Sequence, residues 1–230
     1  MVITEIFKSI QGEGARAGLP CIFVRLTGCN LRCTWCDTAY AFHGGKKMSV
    51  EEVLARVDEL GGRGETAAAE AVVPLVELTG GEPLLQEEIV PLAEKLLAAG
   101  YAVMIETSGE RFIGGLPREV TKIVDVKCPD SGEPDTFEMR NLEALSENDE
   151  VKFVLSTRRD YEFARDFTAR HGLARRVKEI LFSPVSEDPQ GKWPGLEPHT
   201  LVEWILADGL PVRLGLQLHK FIWDPATKGV

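Results

Sequence analysis

A chain of 230 residues can bury one α/β core, and its 44% apolar and 27% charged content fits a globular protein and excludes a disordered one. A formal net charge of −10 opposes a phosphate backbone, so no nucleic-acid partner is expected. No apolar run approaches the ~20 residues of a spanning helix, so no membrane association is expected, and one domain over residues 1–230 is the simplest organisation.

The first segment, MVITEIFKSIQGEG, carries Glu5 and Lys8 inside its apolar stretch and runs into a glycine turn. That is unlike the charged-then-apolar pattern of a secretory signal, so a cytoplasmic location is expected. Five cysteines, an odd number, fit metal or redox chemistry in a reducing compartment better than a disulfide framework. β-rich runs follow at 21–27, 74–79, 102–107, 122–127, 151–156, 179–185 and 212–218, several of them apolar enough to be buried on both faces. Ser49 and Glu52 supply a capping box ahead of Val50, Val53, Leu54 and Val57 on one helical face, and Gly61 and Gly62 end that helix. Further helices are expected at 86–99, 159–171 and 198–207, with Gly100, Gly172 and Gly209 as stops. GGRGETAAAEA at 61–71 reads as a flexible or variable connection without chemistry of its own, and the basic segment 157–179, broken by Asp160, Glu162, Asp166 and Glu179, as a solvated helix face.

Strand and helix alternate, which predicts an α/β fold with a mostly parallel sheet, open or curled into a partial barrel. Ligand sites of such sheets lie at the carboxyl ends of the strands. A cysteine cluster follows the first run, TGGEP the second, ETSG the third and KCPDSGE the fourth, so all four polar segments share one rim.

The stretch TGCNLRCTWCDTAY, residues 27–40, places Cys29, Cys33 and Cys36 within eight residues. Extended, the chain from Cys29 to Cys36 would span up to ~25 Å, so the three sulfurs meet only if the loop coils about a compact centre. A structural zinc ion wants four closed ligands; there is no second CxxC, although Cys21, Cys128 or His43 could complete a set. A 4Fe-4S cluster takes one cysteine per iron, and three cysteines leave one iron open to a small-molecule ligand. Spacing alone leaves both possibilities.

C-x3-C-x2-C after the first strand, with GGEP at the end of the next, resembles the radical S-adenosylmethionine superfamily. EIFKSIQGEGARAGLPCIFVRLTGCNLRC, residues 5–33, is similar to the 7-carboxy-7-deazaguanine synthases of queuosine and deazapurine biosynthesis, and the likeness continues through CDT, TGGEP, ETSG, QLHK and the aromatic stretch near the C-terminus. The resemblance implies a modified partial (β/α) barrel of the radical S-adenosylmethionine type. It implies a 4Fe-4S cluster on Cys29, Cys33 and Cys36 as the catalytic centre, with S-adenosylmethionine and Mg2+ as further cofactors. The implied reaction is that of a carbon–nitrogen lyase, from 6-carboxy-5,6,7,8-tetrahydropterin to 7-carboxy-7-deazaguanine with release of ammonia. A 5'-deoxyadenosyl radical would take hydrogen from C6 of the pterin, and return of that hydrogen would regenerate S-adenosylmethionine. A homodimer and a flavodoxin-like electron donor belong to the same implication. Two other readings share the cysteine loop: an activase that places a glycyl radical on a partner protein, and a non-catalytic iron–sulfur or zinc module.

Carried over by position, Ile10, Gln11 and Gly12 would offer backbone groups to the pterin edge and Glu13 a carboxylate for its N–H donors. Arg25, Thr79 and His219 would face the substrate; an arginine in an apolar strand otherwise needs a salt bridge, because an unpaired buried guanidinium is costly. Thr38 corresponds to a magnesium-contacting hydroxyl. Trp35, Cys36, Asp37 and Gly81 would contact S-adenosylmethionine, with Asp125, Val126, Lys127 and Ser183 on that cofactor's side, and Trp35, Tyr40 and Phe42 would exclude water. Pro225 matches a substrate-contacting proline at which some relatives end, whereas this chain continues to ATKGV, and Cys128 has no assigned role.

Overall fold

Val2–Ile10 forms strand β1, which composition does not single out because Glu5 and Lys8 interrupt its apolar positions. It pairs antiparallel with β2 (Pro20–Leu26) on one side and with the short β3 (Lys46–Lys47) on the other. From β2 onward every pairing is parallel: β4 (Leu75–Gly80), β5 (Ala102–Thr107), β6 (Thr121–Asp125), β7 (Glu150–Leu155), β8 (Glu179–Pro184) and β9 (Arg213–Leu214) follow in spatial order. This computed structural model describes residues 1–62, 74–188, 190–224 and 227–229, so most of GGRGETAAAEA and Pro225 lie outside the described residues. Among the described residues the sheet has nine strands in the order β3-β1-β2-β4-β5-β6-β7-β8-β9 and is not closed.

The helices fall where the patterns put them: α1 (Val50–Gly61), α2 (Ile89–Ala98), α4 (Arg158–His171) and α5 (Pro198–Asp208), with α3 (Asn141–Ala144) and α6 (His219–Ile222) as single turns. Both halves of the capping box form, with Ser49 Oγ accepting from the Glu52 N–H at 3.1 Å and Glu52 Oε2 from the Ser49 N–H at 2.7 Å. Thr157 caps α4, and three of its four arginines pair locally: Arg158 with Glu162, Arg159 with Asp130, and Arg165 with Asp166 and Asp208. That makes the basic segment a solvated helix face. No described helix is long and apolar enough to cross a membrane.

The strands are buried on both faces. Ile22, Val24, Val76 and Leu78 pack outward beneath Val53 and Val57 of α1 and Leu92 and Leu96 of α2, while Phe153 and Phe182 pack beneath Tyr161 and Leu201 of α4 and α5. Each such fully buried side chain is worth roughly 1.5–3 kcal/mol. On the inner face Cys21, Phe23, Leu75, Met104 and Ile123 form a smaller apolar cluster at the entering ends of the strands, and beyond it the same face turns polar.

Two contacts bend this sheet. In a flat sheet the seven steps from β1 to β9 would span about 34 Å. Yet Leu218 N–H, four residues past β9, donates to the carbonyl of Gly12, two residues past β1, at 3.0 Å, and Gln217 Nε2 donates to Glu13 Oε1 at 2.9 Å. The sheet therefore curls into a partial barrel whose gap is bridged by side chains and loops. The same bridge explains why the expected strand 212–218 shortens to Arg213–Leu214. Gly215 seats against Ser183 and donates to Phe182 O at 2.9 Å, after which Gly12 captures the backbone of Leu218 and His219 opens α6.

Candidate active site

Parallel register aligns the inward-facing residues across the strands: Arg25 lies beside Thr79, Glu106 beside Ile123, Asp125 beside Lys152 and Val154 beside Ser183. All of them line one cavity of about 1160 Å³.

The loop after β2 carries the cysteines and is braced from two sides. Gly81 presses on it so closely that a Cβ there would fall 2.2 Å from Gly28 O and 2.8 Å from Cys29 Cβ, and Gly80 has φ +148°, which excludes most side chains. Glu82, fully buried, then accepts from Thr107 Oγ1 at 2.8 Å, Ser108 N–H at 2.8 Å and Ser108 Oγ at 2.7 Å, tying TGGEP to ETSG. On the other side Thr34 N–H donates to Ser131 O at 2.8 Å, and Arg32 N–H to Glu133 Oε1 at 2.5 Å, so KCPDSGE holds the far end. The Arg32 guanidinium sits 4.3 Å from the centroid of Phe42.

Cys29, Cys33 and Cys36 all face the cavity, each partly buried. Burial raises the three thiols, Cys33 to about 11, with their mutual repulsion contributing for Cys33 and Cys36 and the nearby Lys127 ammonium working the other way. Among the described residues no three Cys, His, Asp or Glu side chains converge closely enough to hold a single metal ion. Zinc at Zn–S distances of ~2.3 Å would need such convergence. The three thiols share one loop and face one cavity, and none of the five cysteines is in a disulfide.

Beside the thiols, Lys127 Nζ donates to Asp125 Oδ2 at 2.6 Å. Burial opposes the Lys127 charge, but Asp125 prevails and holds its pKa above the ordinary range. Asp125 Oδ1 is buried with no hydrogen-bond partner, an acceptor facing the cavity without a donor.

The cavity floor comes from the turn after β1. Gln11 Nε2 donates to Glu77 Oε2, and Glu13 receives Lys152 Nζ at 2.5 Å and Gln217 at 2.9 Å. Lys152 also donates to Glu106 Oε1 at 2.8 Å. Burial, followed by repulsion from Glu106 and Glu13, pushes Glu77 well above the usual carboxylate range. Burial works against Glu13 as well, but Lys152 and Gln217 outweigh it and keep that carboxyl below its usual value. At the cavity mouth Arg25 Nε donates to Glu5 Oε1 at 2.8 Å and Tyr40 OH to the same oxygen at 2.7 Å. Arg25 thus has its salt bridge and still lines the cavity. Thr38 Oγ1 donates to Asp37 Oδ1 at 2.9 Å, and Lys220 Nζ stands 3.4 Å from Asp37 Oδ2.

The expected site residues therefore meet in one space. Ile10, Gln11, Gly12 and Glu13 form the floor; Arg25, Thr79 and His219 line the wall; Trp35, Asp37 and Thr38 follow the cysteine loop; Gly81, Lys127 and Ser183 complete the rim. Among the described residues Val126 is the exception. Its side chain, 1% exposed, packs in the core beneath α4, and its N–H donates to Lys152 O at 2.8 Å. Strand alternation puts it on the face opposite Asp125 and Lys127, so its side chain takes no part in the cavity wall. Cys128 is equally buried in that core.

Glu77, Glu106, Lys152 and Gln217 also line the cavity, although no role is assigned to them from sequence; Glu106 and Gln217 open the motifs ETSG and QLHK. Their signal is present: PLVELT, AVMIET and VKFVLS each carry one charged residue in an apolar run, the oddity that marks Arg25 in CIFVRLT.

The Radical SAM superfamily model matches residues 23–130, from β2 through the KCPDSGE loop. A 7-carboxy-7-deazaguanine synthase of Koribacter versatilis is 55% identical over 236 aligned residues, covering 100% of both chains. The chain belongs to the 7-carboxy-7-deazaguanine synthases. Another synthase of this name, from Chlorobaculum tepidum, is 41% identical across 99% of this chain and 96% of its own. The crystal structure of QueE from Escherichia coli superposes with a TM-score of 0.69 at 26% identity, covering 95% of this chain and 94% of the other. Membership of this synthase family in the radical S-adenosylmethionine superfamily brings a 4Fe-4S cluster and S-adenosylmethionine. The residues present fit both: three free thiols of one loop line the same cavity, and the unmatched Asp125 oxygen awaits a donor such as a bound amine or hydroxyl.

Proposed function

We propose that this chain converts 6-carboxy-5,6,7,8-tetrahydropterin to 7-carboxy-7-deazaguanine with release of ammonia, as a single domain over residues 1–230. The observation that carries the reading is the shared cavity: the three-cysteine loop and the polar floor of Gln11, Glu13 and His219 open onto the same space. The bound cluster and S-adenosylmethionine supply hydrogen-abstracting radical chemistry there.

Every other part of the reading rests on the chain's own groups. Cys29, Cys33 and Cys36 hold the cluster, and Asp125, Lys127, Gly81 and Asp37 bind and orient S-adenosylmethionine, with Trp35 and Ser183 packing beside it. Glu13 accepts N–H donors of the pterin, the backbone of Ile10–Gly12 borders its edge, and Arg25, Thr79 and His219 orient its polar groups. Burial lowers the His219 pKa, so its imidazole is neutral at pH 7 and can accept as well as donate. Thr38 would contact Mg2+: its hydroxyl proton is given to Asp37, which leaves its oxygen lone pairs available, and waters and the substrate carboxylate would supply the remaining oxygens.

The reading includes a flavodoxin-type donor for the one-electron reduction, operation in a reducing cytoplasm, supported by the five free cysteines, and a homodimer. Phe221 and Ile222, 73% and 55% exposed, support a surface that a second copy covers.

The test is anaerobic turnover of the reconstituted enzyme with dithionite, S-adenosylmethionine, Mg2+ and the tetrahydropterin, followed by mass spectrometry. Loss of ammonia from the pterin is the expected result. Formation of 5'-deoxyadenosine without deazaguanine would retain the radical chemistry and reject this substrate.

A further inference from the structure

Lys152 sits on β7 in the middle of the sheet, its side chain 8% exposed, with its ammonium between Glu13 and Glu106. A buried ion pair is weak support for stability, because desolvating both charges consumes most of what their attraction returns. A hydrophobic residue would serve the sheet as well, which turns attention to what the ammonium does for its partners. Glu13 is the informative one. One of its oxygens takes Lys152 and the other Gln217 Nε2, which leaves about two of its roughly four lone-pair sites for a ligand.

Resting on the proposed function, we infer that Lys152 is a positioning residue for substrate: its ammonium, braced by Glu106, aims the Glu13 carboxylate into the cavity as the acceptor for N–H donors of the pterin ring. The surroundings make the ammonium necessary. Glu77 on β4, Glu106 on β5, Asp125 on β6 and Asp37 after the cysteine loop all face this region, and His219 from α6 is uncharged. Lys127 is engaged by Asp125. Without Lys152 the buried Glu13 takes up a proton, and one of its two oxygens becomes an O–H donor, which weakens the acceptor offered to the ring N–H groups.

The experiment compares wild type, Lys152→Met and Lys152→Arg as cluster-reconstituted, S-adenosylmethionine-loaded enzyme. It measures binding of 6-carboxytetrahydropterin and, separately, of S-adenosylmethionine from about pH 7 to about pH 9. Lys152→Met is expected to weaken pterin binding about 100-fold at neutral pH while S-adenosylmethionine affinity holds. The deficit relative to wild type shrinks as pH rises and Glu13 regains its charge, and Lys152→Arg recovers most of the binding. A deficit independent of pH, an unchanged pterin affinity, or a parallel fall in S-adenosylmethionine affinity overturns the assignment. Wild type that fails to bind the pterin overturns the proposed function itself. Should Lys152→Met not fold, Lys152→Gln with Glu106→Gln removes one charge of each sign, and the same pH-dependent deficit is required.

Discussion

A Cβ on Gly12 would lie 2.4 Å from His219 Nδ1, two residues at opposite ends of the chain whose contact closes the partial barrel. Gly12 is therefore glycine because of what stands against it. Gly12→Ala must push the imidazole aside, an overpacking that costs about 1–3 kcal/mol. The expected outcome is a pterin KM raised about tenfold or more, with S-adenosylmethionine affinity held, measured by steady-state kinetics and equilibrium binding. An unchanged KM would show that His219 does not orient the substrate.

The thiols of the cysteine loop give the second prediction. Their pKa values lie above the ordinary thiol value, so at neutral pH they are protonated and each must release a proton to bind iron. Iron uptake by the apo-enzyme is therefore favoured as pH rises, by up to about tenfold per pH unit for each proton released. Competition against a chelator of known pH dependence measures it. Uptake that is flat between about pH 7 and about pH 9 would contradict the buried, protonated state.

Removing the Thr38 hydroxyl tests the metal contact. Thr38→Ala is expected to raise the Mg2+ concentration giving half-maximal rate several-fold while cluster content, read from the visible spectrum, stays constant. A titration curve superimposable on that of wild type assigns Thr38 to the turn alone.

Glu82 is a matter of stability before chemistry. Its carboxylate, with no exposed surface, accepts from Thr107, from both donors of Ser108 and from the Leu84 N–H at 3.0 Å. Glu82→Ala leaves those donors buried without an acceptor and should cost about 3 kcal/mol or more. Denaturant unfolding of the apo-enzyme reads this directly. A loss below about 1 kcal/mol would mean that water replaces the carboxylate and that the two rim loops are not tied through it.

The sequence by itself determined the helices, the central parallel strands and the rim, because periodicity, caps and glycine stops are local: Ser49 with Glu52, and Gly172 after α4, need nothing from the rest of the chain. It also determined the cysteine loop and TGGEP as one chemical unit, since their spacing is their signature. What only the tertiary structure decided was long-range. β1 became a strand because β2 and β3 satisfy its backbone, despite the charges that blur its pattern. The strand expected at 212–218 gave way after Leu214 because the carbonyl of Gly12 captures Leu218. Lys152 came to face Glu13, 139 residues away, and strand alternation turned the Val126 side chain to the core. Those outcomes depend on which backbone groups and charges end up facing each other once the sheet has curled, and no local pattern encodes that pairing.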